Sequence, residues 1–209
     1  MRLDDREWKS FTIENIFSIS PGKRLEKRNM TAGARPFIGA SDSNNGVTAF
    51  VSNSNESLDR NVLGINYNGS VCEAFYHPYE CVFSDDVKRL HLKHWGDNKL
   101  VLLFMGLAIY KQKRKYEYAY KFNEQRMKRQ FIMLPVTEDG VPDYQFMEDY
   151  VRELMDRKRK QYLDYLTPPR VTLCLIQFKY TNFSLGANGS RLPSATYSSW
   201  SVDAKRRIL

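Results

Sequence analysis

Short strand-like runs separated by turn residues dominate the chain up to Leu92, and helical patterns replace them after Asn98. Runs such as Val47 to Val51 and Val62 to Tyr67 are rich in β-branched and aromatic residues and are bounded by Asn, Gly and Ser, which favours strands. Strands so short and so closely spaced predict a curled antiparallel or mixed sheet. The predicted fold class is therefore α/β (α+β): a curled sheet of short strands with flanking helices, followed by a long amphipathic helix.

The predicted elements follow from hydrophobic period and turn signals. They are a strand, a helical turn and a strand over 8–20, strands at 37–39, 47–51 and 62–67, an Asn68-Gly69 hairpin turn into a strand at 71–76, strands at 81–83 and 87–92, a helix over 99–120, a strand at 131–135, a turn at 137–140 and a helix over 142–166. Residues 167–209 are rich in Gly, Ser, Pro and Ala without a period. That tail stays unassigned, although 171–180 has a strand-like composition.

The helix over 142–166 carries an apolar stripe at three- and four-residue steps, and Pro142 and Asp143 are favourable signals at its start. Ordinary core packing explains such a stripe. If the stripe is exposed in a monomer, it requires a partner. We then expect homodimerisation or docking through Phe146, Tyr150, Val151 and Leu154.

Charge and cysteine content limit the class of protein. The net charge is +8 and the pI is about 9.3, which favours a polyanionic partner. The three cysteines, Cys72, Cys81 and Cys174, have no CxxC spacing and fit reduced thiols in a cytosol. No apolar run approaches the ~18 residues of a membrane span, and the charged start is not a secretory signal. We therefore expect a cytoplasmic protein without a membrane partner.

No set of residues with catalytic spacing stands out, and no phosphate or cofactor loop of the P-loop or Rossmann kind is present. Asp143 with Asp156 superficially matches a nuclease metal motif, but about 20 Å of helix would separate them. His91 and His94, with Cys72, His77 and Cys81 nearby in sequence, lack the paired spacing of a zinc site. Two surface histidines and buried thiols are the favoured interpretation, so no catalytic residue and no metal are predicted.

Three segments mix cations with amide, hydroxyl and aromatic side chains, which is the mixture that duplex recognition needs. Each segment alone is explained by a solvated surface or by turn chemistry, since Asn and Gly tolerate left-handed backbone. Together on one basic chain they make nucleic-acid binding a serious hypothesis. The candidate DNA-binding residues are Lys23, Arg24, Lys27, Arg28, Ser41, Asn44, Asn45, Asn66, Tyr67, Asn68, Lys111, Arg114 and Lys115.

Four segments resemble target recognition domains of DNA specificity subunits in type I restriction-modification systems and the related type IIB enzymes. They occur in order between Trp8 and Tyr165 and read "WKSFTIENIFSISPGKRL", "RPFIGASDSNNGVTAFV", "VLGINYNGSVCEAFYHPYECVFSDDVKRL" and "QFIMLPVTEDGVPDYQFMEDYV". The resemblance implies a DNA target recognition domain over 1–141 and a spacer (coiled-coil) helix over 142–166. Residues 167–209 are not covered by it.

The resemblance also implies partners. An intact specificity subunit carries two recognition domains, each of which reads one half of a split double-stranded DNA site, and it docks methyltransferase subunits that bind S-adenosylmethionine. The subunit performs no chemistry, and cleavage belongs to a restriction subunit or domain. This chain departs from that pattern because it holds one recognition domain, so we expect a fragment, a half-subunit or a truncated gene product, and one that binds no cofactor itself. A non-DNA interaction module and, further off, a degenerate nuclease are the alternatives.

The loop Ser41 to Asn45 has two explanations. It forms a polar loop at the DNA face, with Asn45-Gly46 making the turn into the next strand, or "NNG" is a fold feature without base contacts. For Asn45 the two explanations have equal weight.

Overall fold

The computed structural model of the chain describes residues 1–116 and 122–166. Within these residues nine strands and four α-helices alternate with short 3-10 turns. The strands are β1 (Trp8–Thr12), β2 (Phe17–Pro21), β3 (Ala32–Ile38), β4 (Val47–Val51), β5 (Val62–Asn66), β6 (Ala74–His77), β7 (Val82–Phe83), β8 (Val87–Leu92) and β9 (Phe131–Pro135). The helices are α1 (Ile13–Ile16), α2 (Lys99–Tyr110), α3 (Glu124–Arg129) and α4 (Tyr144–Leu166).

The strands form three sheets. A four-stranded antiparallel sheet has the order β2-β8-β5-β6, and a three-stranded sheet has the order β4-β3-β7 with β3 and β7 parallel. The third sheet pairs β1 with β9, which joins the start of the chain to its last strand. The mixed α/β fold class is confirmed, but the strands are divided among three sheets instead of forming a single curled one.

The main core lies between the four-stranded sheet, α1 and α2. It buries Leu63 and Ile65 of β5 against Leu102, Met105 and other apolar residues of α2. Gly106 allows this close approach, because a Cβ at that position would lie 3.3 Å from Leu63 Cδ1. The glycine that interrupts the apolar run from 100 to 110 is therefore the point where α2 packs against the sheet.

Helix α4 divides into a buried half and an exposed half. Asp143 Oδ1 caps the helix by accepting from the Phe146 amide at 2.9 Å. Phe146, Met147 and Val151 are buried, whereas residues 155–166 are all exposed. At 1.5 Å per residue the exposed half is about 18 Å long. The helix belongs to the same compact unit as the strands, and the domain boundary at 141/142 stays a prediction.

This packing corrects the expected docking stripe. Phe146 and Val151 are only 3% and 8% exposed, and Tyr150 and Leu154 are half-buried. Arg6 Cζ lies 5.0 Å from the centroid of the Phe146 ring. The centroids of the Phe146 and Tyr150 rings are 6.3 Å apart. The first half of the stripe thus belongs to the core, in agreement with the explanation of the stripe as ordinary core packing.

Two predicted elements differ in extent. The predicted Asn68-Gly69 hairpin turn is instead the longer loop 67–73, because β5 ends at Asn66 and β6 begins only at Ala74. Helix α2 ends at Tyr110 and is followed by a 3-10 turn at 113–116, so the predicted helix over 99–120 is too long. The tail 167–209, with its strand-like stretch 171–180, lies outside the described residues. In the described part of the chain, no helix is long and apolar enough to cross a membrane.

Candidate nucleic-acid interface

Two polar loops meet at one end of the sheets. Loop 39–46 joins β3 to β4, and loop 67–73 joins β5 to β6. The loops are in contact, because a Cβ on Gly69 would lie 3.1 Å from the carbonyl oxygen of Ala40. Two candidate segments that are far apart in sequence therefore form one surface.

Loop 39–46 is held by its backbone. The Gly39 amide donates to Gly46 O at 2.8 Å, and the Gly46 amide donates to Ser43 O at 2.9 Å. Asn44, Asn45 and Gly46 all have left-handed backbone, with φ of 50°, 55° and 72°. Asn and Gly are the residues that adopt this region most readily. The "NNG" stretch is thus a turn feature, and it also leaves the Asn44 and Asn45 side chains exposed.

The exposed side chains of this loop are hydroxyls and amides. The Ser41 and Ser43 hydroxyls are 3.0 Å apart and hydrogen-bonded. The Tyr79 hydroxyl lies 3.4 Å from His77 Nδ1. Burial is the main cause that raises the pKa of Tyr79, so this phenol stays protonated at neutral pH. The loop therefore presents donors and acceptors without a fixed charge apart from Asp42.

The three candidate residues at the end of β5 and the start of loop 67–73 have different surroundings. Asn66 is 1% exposed, and its Nδ2 donates to Ser41 O at 2.9 Å. Its prediction as a DNA-contacting residue is corrected, because the side chain faces the protein interior. Asn68 is exposed and donates to Asp86 Oδ1 at 2.9 Å, while the half-buried Tyr67 ring lies 4.9 Å from Lys88 Nζ.

A basic segment borders both loops. Lys113 Nζ pairs with Glu73 Oε1 of loop 67–73 at 2.5 Å. This hydrogen bond is the main cause that raises the pKa of Lys113, and the negative charge of Asp42 in loop 39–46 also raises it. Lys111, Arg114 and Lys115 are exposed. Among the described residues none of these three has a carboxylate within 4.0 Å. Within the described residues these three charges therefore have no ion-pair partner, and all three lie within two residues of Lys113.

The candidate cations from Lys23 to Arg28 are placed differently. The 3-10 turn Lys27–Asn29 precedes β3, and loop 39–46 follows it. Seven strand residues put these ends about 20 Å apart. Arg24 and Arg28 both pair with Glu26, at 3.7 and 2.7 Å, and Lys23 pairs with Glu56 at 3.4 Å. Lys27 and Arg28 therefore lie away from the loop surface, whereas the Lys23 amide donates to Phe83 O at 2.8 Å and Phe83 pairs with Ile38, just before loop 39–46.

Helix α3 lies in the third of the predicted nucleic-acid segments, 111–129, but none of its residues was among the candidate DNA-binding residues. Gln125, Arg126 and Arg129 of this helix line a cleft with Lys115 of the basic segment. The spacing of Arg126 and Arg129, three residues apart on a helix, is the signal that could have found them, since such residues share a face.

The groups considered for metal binding or catalysis have structural roles. Burial is the main cause that raises the pKa of the Cys72 and Cys81 thiols to about 12, so neither is a thiolate. His91 lies between Asp97 Oδ2 at 2.6 Å and Asp59 Oδ2 at 3.1 Å. No cluster of three potential metal ligands occurs in residues 1–116 and 122–166. Asp143, named for the nuclease alternative, caps α4 and pairs with Arg6 at 2.9 Å.

This fold and this surface define a basic α/β domain that presents polar loops beside uncompensated cations. The chain belongs to the family described as the type I restriction modification DNA specificity domain, which matches residues 5–164. The predicted resemblance to a target recognition domain of a specificity subunit is thereby confirmed. This family is one of non-catalytic specificity subunits.

Individual relatives agree with the family. The chain is 58% identical over 155 residues to the specificity subunit S.BcgI of a type II restriction enzyme from Heyndrickxia coagulans, covering 74% of this chain and 46% of the relative. Its fold is similar to that of the type I S subunit from M. genitalium (TM-score 0.55, 19% identity, 79% of this chain and 43% of that one). It is also similar to HsdS from Thermoanaerobacter tengcongensis (TM-score 0.52, 12% identity, 78% and 40%). The chain thus spans less than half the length of each of these relatives.

Proposed function

We propose that this chain recognises a short double-stranded DNA sequence as a specificity component of a restriction-modification complex. Loops 39–46 and 67–73 face the bases, and Lys111, Arg114 and Lys115 contact phosphates. The observation that carries the proposal is the ion pair between Lys113 and Glu73, which joins the basic segment 111–115 to loop 67–73, together with the exposure of Lys111, Arg114 and Lys115 in that segment. Cations without protein partners supply the counterion release that drives DNA binding.

The side chains of loop 39–46 are suited to base edges. An Asn amide can pair with both N6 and N7 of adenine in the major groove, and Ser hydroxyls bond to several bases. Asn44 is exposed and its backbone is left-handed, so its amide is accessible to a base edge. Phosphate contacts set the register while such amides and hydroxyls carry the sequence information.

The exposed half of α4 is the proposed docking element for methyltransferase subunits. Residues Met155, Tyr162 and Leu166 are exposed and seven and four residues apart, so they lie on one helix face. This replaces the stripe from Phe146 to Leu154 as the proposed partner surface. S-adenosylmethionine is then bound by the methyltransferase subunits, and one recognition domain reads one half-site, with a second copy of this chain or another domain reading the other.

A selection from a random duplex library tests the proposal. The full 209-residue chain is used at moderate salt, alone and with a cognate methyltransferase subunit. Asn44→Gly removes the amide but keeps the left-handed backbone accessible, and Asn15→Ala on α1 removes an exposed amide away from the loops. We expect one short enriched motif, which Asn44→Gly alters at one position and Asn15→Ala leaves unchanged.

Other outcomes would assign the chain elsewhere. Binding that enriches nothing and vanishes smoothly with salt would leave only electrostatic attraction. Shallow salt dependence without a preferred sequence would favour a protein-interaction module. Mg-dependent cutting that Asp143→Ala abolishes would favour a nuclease.

A further inference from the structure

A third loop is hydrogen-bonded beside both polar loops of the candidate interface. It consists of residues 84–86, which join β7 to β8. The Ser84 amide donates to Ile38 O at 2.8 Å, and the Tyr67 amide donates to Asp86 O at 3.1 Å. Ile38 directly precedes the first polar loop, and Tyr67 begins the second. Backbone hydrogen bonds therefore hold loop 84–86 in one surface with the two loops that are proposed to face the bases.

The two aspartates of loop 84–86 have different surroundings. Asp86 is held in place, because its Oδ1 accepts from Asn68 Nδ2 at 2.9 Å and its amide donates to Ser84 Oγ at 3.3 Å. Asp85 is half-buried, and in residues 1–116 and 122–166 its carboxylate has no cation within 4.0 Å. An ion pair within the described part of the chain therefore does not explain this carboxylate.

The negative charge of Asp85 reaches the second polar loop. The pKa of Tyr67 in that loop is raised, first by burial and then by the charges of Asp86 and Asp85. Lys88 Nζ lies 4.9 Å from the centroid of the Tyr67 ring, but it pairs with Glu124 at 3.0 Å. The cation beside Tyr67 is thus engaged by another carboxylate and does not pair with Asp85.

A carboxylate without a cation restricts which part of a DNA duplex can approach it. It repels phosphates, and as a pure acceptor it cannot bond to the acceptor atoms of guanine and thymine in the major groove. Amino groups can donate to it. Adenine presents its amino group beside the acceptor N7, which suits an amide, whereas cytosine presents an amino group that suits a carboxylate.

We infer that Asp85 accepts a hydrogen bond from the N4 amino group of a cytosine in the recognised DNA sequence. The inference rests on the proposed function and adds a specificity-determining residue to it. Asp86 is a positioning residue, because its bonds to Tyr67 and Asn68 hold loop 84–86 against the second polar loop.

Asp85→Asn in the full chain tests this contact. Asn is similar in size and favours the same turns as Asp, but it removes the charge. Asp139→Asn is the matched control, because Asp139 is exposed, lies between β9 and α4 and has no ion pair among the described residues. Wild type and both variants go through the selection from the random library. Fluorescence anisotropy with the selected duplex and a scrambled duplex then gives Kd.

A modified base tests the contacted atom directly. In N4-methylcytosine a methyl group replaces the amino hydrogen that points into the major groove, while the hydrogen that pairs with guanine is kept. This base replaces the cytosine whose selection depends on Asp85 in the selected duplex, so the Watson–Crick pair stays intact. The Kd values of wild type and Asp85→Asn are then compared on the modified and unmodified duplexes.

We expect one C·G pair of the motif to lose its preference in Asp85→Asn and to keep it in Asp139→Asn. N4-methylcytosine at this position should raise the Kd of the wild type about tenfold, which is within the range of one base contact, and should leave the Kd of Asp85→Asn nearly unchanged. The scrambled duplex should bind Asp85→Asn at least as tightly as the wild type, because a charge that repels phosphates is lost.

An unchanged motif in Asp85→Asn would overturn the inference, and so would an equal effect of N4-methylcytosine on wild type and variant. A Kd that rises by the same factor for the selected and the scrambled duplex would also overturn it, since the substitution would then disturb the whole surface. The proposed function fails separately, when the wild-type chain enriches no motif at all. A motif that Asp85→Asn leaves unaltered removes only the cytosine contact and leaves the proposed function standing.

Discussion

At the scale of single residues, Asn66 connects the two loops of the candidate interface. Its backbone bonds Glu73 O and Cys72 N, and its side chain bonds Ser41 O. The burial of Asn66 has a signal in the sequence, because the run 62–66 is continuously apolar up to this residue and so predicts a strand buried on both faces. No signal in the sequence identifies its hydrogen-bond partner, since Ser41 lies 25 residues away.

We expect Asn66→Ala to lower the free energy of unfolding by about 1–2 kcal/mol, because a buried hydrogen bond is lost and Ser41 O loses its donor. It should also reduce the ratio of Kd values between scrambled and selected duplexes, because loop 39–46 loses its tether. Urea denaturation and anisotropy measure the two effects. Asn29→Ala, an exposed amide, should stay within about 0.5 kcal/mol. Unchanged selectivity in Asn66→Ala would show that the tether does not position the loop.

At the scale of elements, the sequence predicts most of the strands and helices, but it does not predict how they pair and pack. Alternation and turn residues are local signals, and they located β4, β8 and β9 closely. The partition into three sheets depends on pairings such as β1 with β9, where Trp8 is opposite Pro135. Likewise, the apolar stripe of α4 was visible in the sequence, but only its packing against α2 shows that the first half is core.

Phe146→Ala should therefore destabilise the monomer itself. Loss of this buried ring is expected to cost about 3 kcal/mol or more, with an unfolding midpoint that does not depend on protein concentration. Tyr165→Ala, at a side chain that is 81% exposed on the same helix, should change stability by less than about 0.5 kcal/mol. A midpoint for the Phe146 variant that shifts with concentration would instead indicate that this ring lies at a dimer contact. Urea denaturation at two protein concentrations separates these results.

At the scale of the whole molecule, His91 joins distant parts of the fold. It stands on β8 and bonds Asp59, which forms a bridge with Cys81 ahead of β7, and Asp97, which precedes α2. Only the charged imidazolium can donate to both carboxylates. Burial lowers the pKa of His91, but the hydrogen bonds to Asp59 and Asp97 outweigh it and raise the pKa above its usual value.

The stability of the chain should therefore depend on pH through His91. A raised folded-state pKa gives stabilisation that is complete below the unfolded value of about 6.5 and is lost as pH rises through the folded value. We expect the loss of stability in His91→Gln to be largest at acidic pH and to shrink as pH rises. His94→Gln, at an exposed histidine without an ion pair among the described residues, is the matched control. Urea denaturation at pH values below and above the usual histidine pKa measures the loss. The same pH dependence in both variants would contradict the assignment.

The left-handed backbone at Asn44 and Asn45 limits which side chains these two positions of the proposed DNA-contacting surface can carry. Besides Gly, the residues that accept such dihedral angles readily are Asn and Asp. An Asn amide pairs with adenine, an Asp carboxylate accepts from the cytosine amino group, and Gly has no side chain to contact a base. Variants that recognise another base through these two positions are thus confined to very few substitutions, whereas Ser41 to Ser43, which lie outside the left-handed region, are free to diversify.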